Sequence, residues 1–160
     1  MLDPNEFTAV TLLRNALRAM SVSGGYHYDL NALSVKLDPN QSVDDLIAPD
    51  GPRPFIVLEV QPDEFMYAMA RSGLVEIKLP VTIHWVSDSV PTDDESLLRT
   101  FYQGCADVEK AVAAAITLGG NVGAFDIRIT QRRNSRAIDS ALVWAIIETQ
   151  IHLQRLYGES

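Results

Sequence analysis

"VEIKLPVTIHWV", residues 75–86, alternates apolar and polar side chains with a period of two. Val75, Ile77, Leu79, Val81, Ile83 and Trp85 fall on one side, and Glu76, Lys78, Thr82 and His84 on the other. That is the pattern of a long strand with one face on a core. Pro80 belongs to the polar set and has no N–H to give a ladder, so it predicts a sheet edge or a bulge.

The flanks supply the rest of the sheet and its cover. Upstream, "FIVLEV" (55–60) is a short strand, and "LNALSVKL" (30–37) alternates with Leu33, Val35 and Leu37 on one face. The connector "QPDEFMYAMARSG" (61–73) fits either a helical turn or a widened hairpin. Between them "DPNQSVDDLIAPDGPRP" holds four prolines and four aspartates, which predicts a flexible loop over about 38–53. At the start, "DPNEFTAVTLLRNALRAM" reads as an amphipathic helix. Asp3 suits its cap and Pro4 its first position, and Phe7, Val10, Leu13, Leu17 and Met20 form its stripe. The glycines of "SVSGGYHYDL" (21–30) predict its stop, at Ser23-Gly24-Gly25.

Downstream, Thr92 and Glu95 form a capping box for a second helix, with Leu98, Phe101, Cys105, Val108, Val112 and Ile116 as the buried stripe. It ends at "GGNVG" (119–123), where glycines after a helix and before a strand read as a stop signal. A phosphate loop would precede a helix. The strand "AFDIRIT" (124–130), a basic turn "QRRNSR" (131–136) and the strand "DSALVWAIIETQIHLQRLY" (139–157) complete the chain. The expected fold is α+β: a mixed, largely antiparallel sheet of about five strands with two helices on one face, in the order α-β-β-β-α-β-β, in one domain spanning 1–160.

Composition narrows the function. A net charge of −8 disfavours nucleic acid and anionic membrane as partners of the surface as a whole. One cysteine, Cys105, excludes an intrachain disulfide and fits a reducing compartment. The start "MLDPNEF" lacks the basic and apolar runs of a signal peptide, and "SALVWAII" is far short of a bilayer span, so no membrane is expected. His27, His84 and His152 lack metal-site spacing, no G-x-S-x-G elbow is present, and the Asp93–Asp94 pair is explained by capping. No catalytic residue, metal or cofactor is expected.

Two features point instead to assembly. Arg128, Arg132, Arg133 and Arg136 crowd a predicted hairpin tip at about 130–137, while acids gather in the loop, including Asp44 and Asp45, and before the second helix. A basic finger on one subunit facing an acidic rim on the next suits a head-to-tail ring. In the last strand, Leu142, Trp144 and Ile146 make the second face apolar as well, so that face needs a cover from its own chain or a neighbour. At ~3.3 Å per residue, residues 140–157 extend ~60 Å, so the strand must bend, break or project.

From "LLRNALRAM" through "GGYHYDL", "LSVKL", "PFIVLEV", "VEIKLPVTIHWVSD" and "LLRTFYQGCADVEKAV" to "VWAIIETQIHLQRLY", the order resembles the tail terminator (tail completion) proteins of tailed bacteriophages. The tyrosine after the glycine corner, the acid near the end of the central strand and the helix carrying Asp107 are similar too. The resemblance covers nearly the whole chain. It implies a virion neck protein without catalytic residues, assembled in the host cytoplasm as a homohexameric ring. The ring would cap the head-proximal end of the tail tube and halt its polymerisation. Its implied partners are the tail tube protein and the head connector or head-completion protein, with genomic DNA sliding through the lumen without specific binding. The rivals are another neck protein, such as a head-completion or connector-adaptor protein, and a cytoplasmic small-ligand module with a pocket near Tyr26, His27 and Trp85.

Overall fold

The computed structural model describes residues 5–37, 53–61, 64–69, 73–88, 94–118, 124–135 and 142–156. Helix α1 spans Asn5–Arg18, strand β1 Val35–Leu37, β2 Phe55–Val60, β3 Glu64–Met69 and β4 Leu74–Asp88. Helix α2 follows over Asp94–Leu118, then β5 over Ala124–Ser135 and β6 over Leu142–Leu156. The class is α+β, with both helices against one face of a mixed sheet ordered β1-β2-β4-β6-β5. Among the described residues only the β1–β2 pair is parallel.

Six strand segments occupy five positions, because β2 and β3 lie along the same edge of β4. The connector that fitted either a turn or a hairpin therefore contains a strand. From Val60 to Glu64 the chain advances four residues while its partner on β4 retreats three, from Val81 to Lys78. Pro80 lies in this stretch of β4, and its carbonyl accepts from Gln61 N at 2.9 Å. Since N–H and C=O of a strand residue face the same edge, the missing proline donor falls on the β2–β3 side of β4, between the Val60–Val81 and Glu64–Lys78 pairs.

The twin 15-residue strands β4 and β6 resolve the length problem. They pair throughout, from Leu74–Leu156 to Asp88–Leu142, as an antiparallel ribbon ~50 Å long at ~3.3 Å per residue. Its inward residues, among them Ile77, Leu79, Ile83, Trp85, Ile147, Ile151 and Leu153, are buried under Leu13 and Leu17 of α1, Met20 just beyond it, and Cys105, Val108, Ala111 and Ala115 of α2. Each fully buried Leu or Ile there contributes roughly 1.5–3 kcal/mol. Thr149 shares that face and satisfies its hydroxyl on the Val81 carbonyl at 2.7 Å.

Three local expectations are corrected. Helix α1 ends at Arg18, and the glycines close a separate 3-10 turn, Val22–Gly24, capped by the Ser21 side chain. There Gly25 takes the left-handed conformation at φ 87° and returns its N–H to Val22 O. Leu33 is 76% exposed rather than inward. Asn31 accepts from the N–H groups of Leu33 (2.8 Å) and Ser34 (3.2 Å), a local turn that delays the strand until Val35. Phe7 and Leu98 lie off their helices' buried stripes, 51% and 56% exposed. The stripe of α1 centres on Ala9, Leu13, Ala16 and Leu17, and that of α2 on Phe101, Val108, Ala111 and Ala115, which turns both side chains outward.

Candidate assembly surface

Strand β5 ends the sheet, so among the described residues its outer edge is unpaired. The basic residues expected in a turn are strand residues here: Arg132 pairs with Ile147 and Arg133 with Ile146 of β6. The ladder shifts by one residue between Ile129 and Gln131, leaving Thr130 as a bulge. That shift decides the charge pattern. It puts Arg128 and Arg133 on the helix-free face and Arg132 on the helix face, where its guanidinium meets Glu109 of α2 at 3.0 Å. Arg128 pairs with Asp126 at 2.9 Å, and Arg133 lies 4.0 Å from Glu148. The basic cluster is thus split between faces and partly neutralised by its own chain. Arg136, Asp44 and Asp45 lie outside the described residues.

The helix-free face carries its own small core. Trp144 and Ile146 are each 6% exposed and pack with Phe55, Val57 and Val86, with Leu142 at the rim. Trp144 and Ile146 are therefore buried within the single chain and offer little free surface to a neighbour. A polar chain borders them. Glu59 contacts His84 Nε2 at 2.9 Å and accepts from Gln61 Nε2 at 3.1 Å, and Trp144 Nε1 donates to His84 Nδ1 at 3.2 Å. Because indole only donates, His84 Nδ1 is the acceptor and its Nε2–H points at Glu59. Beyond it, Gln61, Pro80, Thr82, Thr130, Glu148, Thr149 and Gln150 line a polar depression of about 340 Å³.

The glycine corner is a clamp. The buried carboxylate of Asp107, 2% exposed, accepts from the N–H groups of His27 (2.9 and 3.0 Å) and Tyr28 (3.0 Å) and contacts His27 Nδ1 at 2.8 Å. One turn on, Lys110 Nζ donates to the carbonyls of Gly24 (3.2 Å) and Gly25 (3.1 Å) and sits 4.5 Å from the centre of the Tyr26 ring. Tyr28 packs on the fully buried Trp85 at 5.3 Å between ring centres. Burial raises the phenol pKa of Tyr26 and of Tyr28, and the Asp107 charge adds to it. Burial likewise pushes the Cys105 thiol up.

His27, His84 and His152 each neighbour one carboxylate, respectively Asp107, Glu59 and Glu76. Among the described residues no three His, Cys, Asp or Glu side chains are placed to hold a metal ion, and no helix is long and apolar enough to cross a membrane. What the sequence reading missed is the exposed apolar surface. Tyr102 is 55% exposed beside Leu98 on α2, and Glu6, Phe7, Val10, Leu37, Val60 and Leu79 line an apolar groove of about 180 Å³ where α1 meets the β1–β2 edge. Only the phase of each helix on the sheet reveals these sites.

No family model matches the chain, and no curated protein matches it. Among solved structures, a chain of the structure titled "Virion of native gene transfer agent (GTA) particle" superposes with a TM-score of 0.44 at 14% identity. The superposition covers 89% of this chain and 92% of that one, and a likeness this loose assigns no function.

Proposed function

We propose that this chain is a structural subunit of a phage-like particle. In this reading, copies close into a ring, six by the resemblance, that caps the head-proximal end of the tail tube, stops its growth and joins tail to head. The observation that carries it is β5, a 12-residue edge strand with arginines on both faces. A long open edge is a template for another chain. Its arginine pairs are exposed and therefore weak, about 0–1 kcal/mol each, so a neighbour's carboxylates can replace them at little cost. DNA would pass the net-negative subunit without being held.

The test is native mass across a wide concentration range, alone and with purified tail tubes, followed by imaging. Rings, free or formed on tube ends, are expected, and Arg132→Glu with Arg133→Glu is expected to abolish them while the fold persists. A wild-type monomer or dimer that ignores tubes would overturn the proposal.

A further inference from the structure

We infer that neighbouring copies join by a tongue-in-groove contact, with Tyr102 of one copy seated in the groove beside Phe7 of the next; this rests on the ring reading above. The two sites lie at opposite lateral edges of the same subunit. Helix α1 packs over β1 and β6, and α2 over β5 and β6. The groove residues Leu37 and Val60 belong to the β1–β2 edge. Tyr102 stands two turns before Glu109 on α2, and Leu98 three turns before it, so all three share a face at 3.6 residues per turn. Glu109 binds Arg132 of β5, so that face points to the β5 edge, away from α1.

The two surfaces also match in chemistry. The groove, about 180 Å³, is walled by Phe7, Val10, Leu37, Val60 and Leu79 and carries one acidic side chain, Glu6. A dry cavity of roughly 150 Å³ accepts a benzene ring, so this volume suits one aromatic side chain. Tyrosine offers an apolar ring and a single hydroxyl donor, which meets the Glu6 carboxylate. The tongue is already oriented, because the Tyr102 ring stands edge-on to Phe101 at 5.3 Å. Arg99, three residues before Tyr102 on α2, brings positive charge toward the groove's acid, and its own partner Glu95 is an exposed helix neighbour easily exchanged. A tongue on one edge and a groove on the other form a heterologous contact, the kind that closes into rings.

The test uses two single variants at exposed positions, Tyr102→Arg to spoil the tongue and Phe7→Arg to block the groove. Thermal melts within a few degrees of wild type check that both fold. Each alone is expected to fail to form rings, free or on tube ends. Mixed in equal amounts, they are expected to form a heterodimer of twice the 17.7 kDa chain mass and nothing larger, since one good tongue meets one good groove. Rings from either variant alone, or a mixture that stays monomeric, would overturn this contact. If wild-type rings form in those same experiments, the ring reading survives its loss. A wild type that never self-associates would overturn both.

Discussion

Replacing Asp107 with alanine isolates the clamp that joins the glycine corner to α2. The carboxylate holds two backbone donors, the N–H groups of His27 and Tyr28, in a partly buried corner. The His27 imidazole is about half exposed and regains water when the carboxylate goes, so it adds little to the cost. The two N–H groups are left without their acceptor, at about 1.5 kcal/mol each, for a loss of about 3 kcal/mol. In a chain of this size, that lowers Tm by about 6–12 °C. Asp107→Asn keeps the shape but turns an amide NH2 toward one donor, and about half the loss is expected. Thermal unfolding followed by circular dichroism measures the total, and amide exchange at His27 and Tyr28 locates it. If the alanine variant melts within about 2 °C of wild type with those amides still protected, the clamp is not what holds the corner.

Gly104→Ala reverses the usual helix rule. Alanine ordinarily gains about 1 kcal/mol over glycine inside a helix. Here the added Cβ would lie 2.7 Å from three atoms of the fully buried Trp85 ring, and overpacking costs about 1–3 kcal/mol. A lowered Tm is expected, and an unchanged or raised one would show that α2 is not seated on Trp85. Cys105 is fully buried with its thiol pKa raised by that burial. It is expected to react with a thiol reagent at pH 8 only as fast as the protein opens, and rapid labelling of folded protein would contradict this. Tyr26 and Tyr28 have phenol pKa values raised by burial. Their contribution to stability is complete below the unfolded value near 10 and is lost as pH rises through the folded values. Alkaline melts of Tyr28→Phe should therefore fall less steeply with pH than wild type, and parallel curves would refute it.

Local periodicity decided much of this protein before any contact is considered. The alternation from Val75 to Trp85 marks the central strand and its core face, and the stripes of Leu13–Leu17 and Phe101–Val112 mark helices that cover one side. These signals are legible because each residue's face follows from its own few neighbours. The misplacements came where one residue changes phase. Asn31 turns the chain before Val35 and sends Leu33 outward. The bulge at Thr130 takes Arg132 off the face of Arg128 and puts Arg133 there instead, so the cluster divides differently from a regular strand. Other features depend on segments far apart in the chain. His27 meets Asp107 across 80 positions, and Trp144 is buried by Phe55, Val57 and Val86 and bonded to His84. Which apolar residues remain outside, Phe7, Leu98 and Tyr102 among them, depends on how each helix is rotated on the sheet. Packing of the whole core sets that rotation, and no local pattern encodes it.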